Sequence, residues 1–127
     1  MGPKISLFRN NNDGSFTDVT DYAGFEDLFA QDEGFDEYFG LDGFKGGVSW
    51  GDYNNDGFPD LFLTYSLKVQ LWRNLGNGTF ANVTVISGFD TTNDCRNTGA
   101  TWFDYDNDGL LDIYISDWNE CDGNQLY

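Results

Sequence analysis

The stretch GDYNNDGFPD, residues 51–60, sets oxygen-bearing side chains at alternate positions and then continues into the apolar run LFLTY. It returns 52 positions later as FDYDNDGLLD, residues 103–112, followed by IYIS. In both copies a glycine follows the third oxygen-bearing residue, and a tryptophan, Trp50 or Trp102, lies just before the first one. Recurrence of the spacing together with its flanking residues indicates an internal repeat.

The repeat extends beyond these loops. GVSWGDYNNDGFPDLFLT at 47–64 matches GATWFDYDNDGLLDIYIS at 99–116, and LFRNNNDGSFTDVT at 7–20 matches LWRNLGNGTFANVT at 71–84. Short runs of aromatic and branched residues alternate with Gly, Asn and Asp turns, which predicts strands and no helix. The predicted strands are 6–10, 15–20, 47–51, 60–65, 69–74, 79–84, 99–103, 111–116 and 124–127.

Four strands recur in each repeat, which is typical of a β-propeller blade. We predict an all-β chain of four-stranded antiparallel blades, one complete and two partial, too few to close a ring of about four to eight blades. The predicted division is the end of one blade at 1–22, an acidic insertion loop at 23–46, a full blade at 47–84 and the start of the next at 85–127.

The predicted insertion is strongly acidic. It holds seven acids and no base between Glu26 and Asp42, interleaved with aromatic residues. Such a segment is either a solvated loop or a site for a partner or a further cation.

Composition narrows the class of protein. The 127 residues carry a net charge of −16 yet are 39% hydrophobic and 18% aromatic, which indicates a folded acidic domain and not a disordered tail. With 22 acids against six bases, we expect no nucleic-acid partner. Histidine is absent, which argues against zinc sites and histidine-based catalysis. No apolar run approaches the ~18 residues that span a bilayer, so we expect no membrane insertion.

The repeated loops have the donors of a calcium site. Calcium takes six to eight oxygen ligands, and alternate residues of a curled loop can point at one centre, with a glycine where the chain bends. Magnesium suits them less because it keeps its waters. We predict two calcium sites. The predicted ligands of the first are Asp52, Asn54, Asp56, the Phe58 carbonyl and Asp60, and those of the second are Asp104, Asp106, Asp108, the Leu110 carbonyl and Asp112.

The same residues have two other interpretations. An EF-hand needs an acidic ligand at position 12 between helices, but Leu63 and Ile115 stand there, in predicted strands. Ordinary Asx-Gly hairpin turns, as predicted at 10–15 and 74–79, are the second alternative. The repetition of the whole ligand spacing favours calcium.

The blocks at 47–64 and 99–116 resemble the FG-GAP or VCBS repeats of integrin-type propellers. LFRNNNDGSFTDVTDYAGF at 7–25 is similar to repeats of cartilage acidic proteins and their bacterial relatives. The resemblance covers most of the chain. It implies a calcium-binding β-propeller in which the ion braces the turn between the first two strands of a blade, commonly in secreted or surface proteins that serve adhesion and interaction.

Two cysteines flank the second loop. Cys95 lies nine residues before Asp104 and Cys121 nine residues after Asp112, so the open end of the predicted hairpin would bring them together. Either they form a disulfide, which suggests an oxidising compartment, or they are two free thiols.

Two N-glycosylation patterns are present. Asn77 in NGT falls in a predicted turn, and Asn82 in NVT falls within a predicted strand.

The leading functional hypothesis is a non-enzymatic, extracellular calcium-binding repeat module with a structural, adhesion or interaction role and a protein or glycan partner. Partial blades expose strand edges, which leaves two expectations. Either copies of the chain complete one another head-to-tail as a homo-oligomeric ring or fibre, or the chain is an excerpt of a longer secreted propeller. A carboxylate-based enzyme acting on polysaccharides is the second class of function.

Overall fold

A computed structural model describes residues 5–25, 46–65, 68–89, 97–117 and 125–127 of the chain. Within these ranges the protein is all-β, with three antiparallel sheets, which confirms the predicted fold class. Nearly all of the predicted acidic insertion lies outside the described residues. The division of the chain into blades stays a prediction.

The strands follow the chain in a simple order. The sheets are ordered β1-β2, β3-β4-β5-β6 and β7-β8-β9, each strand antiparallel to its neighbour. The elements are β1 Phe8–Asn10, β2 Phe16–Asp18, α1 Thr20–Ala23, β3 Gly46–Gly51, β4 Asp60–Tyr65, β5 Lys68–Asn74, β6 Phe80–Asn82, β7 Asn97–Phe103, β8 Asp112–Asp117 and β9 Gln125–Leu126. All nine predicted strands are present, several with shorter bounds.

The prediction of no helix is wrong at one place. Residues Thr20–Ala23 form a single helical turn, in which Ala23 N donates to Val19 O at 2.8 Å, and Gly24 ends it in the left-handed region at φ 92°. A closely similar turn recurs at 83–88. Four residues are too few to show a helical period, so the pattern was not visible in the sequence. No helix in the described part of the chain is long and apolar enough to cross a membrane.

Strand β4 is buried on both faces. Side chains alternate along a strand, so Leu61 and Leu63 pack on one side and Phe62 on the other, and all three are at most 2% exposed. This explains why the sequence after Asp60 is an almost continuous apolar run. The first core is Ala23, Phe25, Leu61, Leu63 and Trp72, and the second is Phe62, Val69, Leu71, Val83, Ile113 and Ile115. The central sheet is therefore covered on one face by the segments that flank the first sheet and on the other face by the third sheet.

A phenylalanine after each helical turn seals the contact with the next sheet. Phe25 meets the ring of Trp72 edge-on at 5.1 Å between centroids. Phe89, which follows the turn at 83–88, lies 4.8 Å from Tyr127. The GF dipeptide at 24–25 and 88–89 is thus a repeated packing element, with glycine ending the turn and phenylalanine entering the core.

The first strands of the second and third sheets lie side by side. A Cβ placed on Gly47 would be 3.4 Å from Gly99 Cα, and one placed on Gly51 would be 2.7 Å from the Trp102 ring. Glycine is required at 51 because the tryptophan occupies the space of a side chain. Because β3 and β7 align in the same direction, the loops that follow them leave the same end of the sheets.

We predict that Ile115→Ala will lower the free energy of unfolding by about 2–5 kcal/mol, because Ile115 is 2% exposed in the second core and its loss leaves a cavity. Ile86→Ala is the matched control, since Ile86 is 84% exposed, and should stay within about 0.5 kcal/mol of the parent. Urea unfolding followed by tryptophan fluorescence in a chelator measures both. Equal losses would contradict the packing of the third sheet on the second.

Candidate metal centre

Both predicted calcium loops connect the first two strands of a sheet, as the resemblance implies. The first runs from β3 to β4 and the second from β7 to β8. Their backbones match, with positive φ at Asn55 and Asn107 (55° and 62°) and at Gly57 and Gly109 (87° and 88°). Asparagine tolerates the left-handed region better than most residues. The asparagine at this loop position is therefore a sequence feature that could have indicated the positive φ.

The first aspartate of each loop holds the bend by accepting backbone hydrogen bonds. Asp52 accepts from Asp56 N at 3.0 Å and from Gly57 N at 2.8 Å. In the second loop the same bonds run from Asp108 N and Gly109 N to the Asp104 carboxylate, at 3.1 and 2.9 Å. Two loops with this hydrogen-bond scheme in common have the same local geometry, which sequence spacing alone had suggested.

The second loop brings three of its predicted ligands together. Carboxylate oxygens of Asp104, Asp106 and Asp108 all lie within 4.8 Å of one another. The fourth acid, Asp112, accepts from Tyr105 N at 2.8 Å and so ties the end of the loop to its beginning. Converging carboxylates repel one another unless a cation lies between them, and their hard oxygens are the ligands calcium prefers. The donor set therefore fits calcium.

The first loop replaces one of these carboxylates by an amide. Asn54 stands where the second loop has Asp106, and its Nδ2 donates to Asp56 Oδ2 at 2.9 Å. Carbonyl ligands were predicted at Phe58 and Leu110, and both side chains are exposed. The Phe58 N–H donates to Asp56 at 3.0 Å, and the Leu110 N–H donates to Asp108 at 2.8 Å.

The last acid of the first loop, Asp60, is fully buried. Its Oδ2 accepts from Tyr53 N at 3.2 Å, and its Oδ1 accepts from Asn74 N at 2.8 Å. Burial raises the pKa of the Asp60 carboxyl above its ordinary value, with the charges of Asp56 and Asp52 adding to the rise and the two backbone bonds opposing it. One carboxylate thus links the loop, β4 and β5.

The end of β5 holds the first loop from the side, a role the sequence analysis missed. Arg73 Nη2 lies 3.7 Å from Asp56 Oδ2, and Asn74 Nδ2 donates to Pro59 O at 3.0 Å. The Phe58 ring lies over Gly76, where a Cβ would come within 2.7 Å of it. The RN dipeptide recurs at 9–10 and 73–74, so the signal was present, but its partner could not be identified before β5 was placed beside the loop.

The Asx-Gly turns at 10–15 and 74–79 are hairpin turns, as predicted. Asp13 accepts from Ser15 N at 2.9 Å, and at the matching position Asn77 accepts from Thr79 N at 3.0 Å. The Ser15 hydroxyl, which donates to the same carboxylate, lowers the pKa of Asp13. A carboxylate and an amide therefore accept the same backbone hydrogen bond at this position of the turn.

Both predicted glycosylation residues are exposed. Asn82 Oδ1 accepts from Thr84 N at 3.1 Å and from Thr84 Oγ1 at 2.6 Å, which ends β6 and turns the chain. Glycosylation at Asn77 and Asn82 stays a prediction. Cys95 and Cys121 lie outside the described residues, so their disulfide also stays a prediction.

Comparison with known families gave two overlapping matches. The FG-GAP-like repeat model matches residues 2–63 and residues 52–115. Together the matches span most of the chain, and they overlap at the first loop and the strand after it. They confirm the family resemblance seen in the sequence. A search of curated proteins found no match.

We predict that Asp60→Asn will cost about 1–3 kcal/mol of stability, because an amide NH₂ would face one of the two N–H groups that the buried carboxylate accepts. Asp13→Asn is the matched control and should be nearly neutral, since Asn77 already makes the equivalent turn. Urea unfolding in a chelator keeps cation binding out of the comparison. A neutral Asp60→Asn would show that the Asp60 carboxylate does not hold the loop to β5.

Proposed function

Because this chain belongs to the FG-GAP-like repeat family, we propose that calcium bound in its two loops braces the blade hairpins of an extracellular interaction module. The family assignment makes it a β-propeller-like repeat module. FG-GAP repeats often bind calcium, and they are typically extracellular and non-enzymatic.

The observation that carries this proposal is the convergence of Asp104, Asp106 and Asp108, whose carboxylate oxygens lie within 4.8 Å of one another. An exposed hairpin turn needs no such arrangement, since the turn at 74–79 closes with the side chains of two asparagines, Asn74 and Asn77, which carry no charge. Three converging charges are unfavourable by themselves and become favourable around a divalent cation.

The residues that would hold calcium are those predicted from the sequence, Asp52, Asn54, Asp56, the Phe58 carbonyl and Asp60 in one loop, and Asp104, Asp106, Asp108, the Leu110 carbonyl and Asp112 in the other. Bound calcium would neutralise the carboxylates and link the start of each loop to the strand that follows it. Asp60 and Asp112 lie at the first residues of β4 and β8, so the brace would act on the strand that carries each core.

A structural role is favoured over catalysis. The best-placed acids of the described ranges are assigned to the two loops, and the chain contains no histidine to act as a general base. A paired-carboxylate enzyme acting on polysaccharides is the alternative. Hydrolysis of any polysaccharide in a panel, abolished by substitution of a carboxylate outside the loops, would overturn the non-enzymatic assignment.

We predict that calcium will raise the free energy of unfolding by about 2.7 kcal/mol per site at a hundredfold excess over Kd. The increment between chelator and calcium should fall by about half in Asp108→Ala, which removes a ligand of the second loop. Asp13→Ala, a matched loss of an aspartate from a plain turn, should keep the whole increment. Calorimetry with and without calcium tests this. An increment that is zero in the parent, or reduced equally by both variants, would contradict the ligand assignment.

The outer faces of the first and third sheets are exposed, which favours a second proposal: further blades cover these faces. Phe8 is 55% exposed, whereas Trp72, at the matching position of the central sheet, is 8% exposed. On the opposite side Tyr114 is 36% exposed, whereas its counterpart Phe62 is fully buried. We propose that a second copy of the chain docks head-to-tail between these faces, as a ring or fibre; blades of the same polypeptide are the alternative occupant.

We predict that the purified chain will form defined multimers in calcium that dissociate in chelator, seen by light scattering after size-exclusion chromatography and by electron microscopy. Phe8→Gln should raise the dissociation constant of the multimer at least tenfold, which corresponds to about 1.4 kcal/mol. Val85→Gln is the control, because Val85 is exposed at a position where the preceding repeat carries Asp21. Monomers in both conditions would refute self-assembly.

A further inference from the structure

A positively charged side chain of β5 lies beside the first loop, next to one of the predicted calcium ligands. The Arg73 guanidinium reaches from β5 to Asp56, with 3.7 Å between Nη2 and Oδ2. Asn54 Nδ2 donates to the same oxygen at 2.9 Å. Both groups approach Oδ2 of Asp56, because the other carboxylate oxygen, Oδ1, accepts from Phe58 N. One predicted calcium ligand of the first loop therefore accepts a hydrogen bond from Asn54 and lies beside the positive charge of Arg73.

The second loop differs in both respects. Its third position is Asp106, an acid instead of an amide, and no basic side chain in the described ranges forms an ion pair with it. Four of the predicted ligands in the second loop are carboxylates, whereas the first loop has three, with a guanidinium nitrogen 3.7 Å from one of them. More negative ligands bind calcium more tightly at equal geometry.

The strand end that carries Arg73 is held in place by the next residue, Asn74. Asn74 N donates to buried Asp60, and Asn74 Nδ2 donates to Pro59 O, so the end of β5 is fastened to the end of the loop. The Arg73 side chain is 48% exposed, and an ion pair of this kind adds little to folding stability. Its charge nevertheless lies beside the position where a cation would bind.

We infer that Arg73 is a built-in counter-cation of the first loop, which competes with calcium for Asp56 and gives that loop a lower calcium affinity than the second. This inference rests on the proposed calcium function. The two loops then differ in purpose. The second binds at lower calcium concentration and braces its hairpin first, and the first responds only at higher concentration.

The size of the effect follows from Coulomb's law. A unit charge about 6 Å from a divalent ion in water changes the binding free energy by an amount equivalent to about threefold to tenfold in Kd. The effect should disappear near 1 M salt, where the Debye length is about 3 Å. A purely structural role of Arg73 would not show this dependence on salt.

The experiment isolates the first loop by placing Asp104→Ala in every protein, which removes the first ligand of the second loop. Arg73→Gln, Arg73→Lys and Arg9→Gln are then added singly. Arg9 occupies the same position one repeat earlier and forms no ion pair within the described ranges, so it is the matched control for loss of one charge. Calcium chloride is titrated calorimetrically at low and high salt, and circular dichroism verifies the fold of each variant.

We expect Arg73→Gln to tighten calcium binding about threefold to tenfold at low salt and to match the background protein at about 1 M salt. Arg73→Lys keeps the charge and should bind like the background, as should Arg9→Gln. Equal or weaker binding by Arg73→Gln, or the same gain in Arg9→Gln, would overturn the inference.

The two failures are distinguishable. Absence of calcium binding by the unsubstituted chain would refute the proposed function itself. If the unsubstituted chain binds calcium but the folded Asp104→Ala protein does not, the first loop is not a calcium site, and the role of Arg73 is refuted while calcium binding by the second loop stands.

Discussion

The buried carboxylate of Asp60 is the contact on which the geometry of the central sheet depends. It accepts a backbone N–H from Tyr53 at the start of the loop and another from Asn74 at the end of β5, with oxygens 3.2 and 2.8 Å from the two nitrogens. A fully buried carboxylate is costly unless it is well hydrogen-bonded, and these two bonds offset part of that cost. The first loop, β4 and β5 are thereby held together at one end of the sheet by a single side chain.

Placing β4 at the centre has consequences for the whole chain. Leu61 and Leu63 pack with Ala23 and Phe25 from the helical turn after the first sheet, and Phe62 packs with Ile113 and Ile115 of the third sheet. Both cores therefore include residues of one strand. The close approach of β3 and β7, which glycines at 47, 51 and 99 permit, brings both loops to the same end. A calcium ion bound in either loop would fix the start of the strand that follows it, β4 or β8. Both strands contribute buried residues to a core, so the ion would stabilise the packing as well as the turn.

Equivalent positions of the repeats exchange aspartate for asparagine, and the consequence of this exchange depends on the position. Asp13 and Asn77 make the same turn although one is charged, because only one acceptor oxygen is needed there. In the loops at 52–60 and 104–112 the exchange of Asp106 for Asn54 has a different consequence, because the amide places a donor where the acid places a charge. The exchange of acid for amide keeps the hydrogen bond of the plain turn, whereas in the loop it adds a donor beside Asp56 and removes a charge.

Local chemistry alone determined much of this protein. Residue alternation and the Asx-Gly turns placed the nine strands, and ligand spacing identified both loops, since these signals lie within a few consecutive residues. Tertiary structure decided the rest. The burial of Asp60, the reach of Arg73 to Asp56 and the exposure of Phe8 where Trp72 is covered depend on which strand lies beside which, and the sequence around each residue is nearly the same in both repeats. Equivalent residues differ because their neighbours differ, and neighbours are assigned only when the sheets pack.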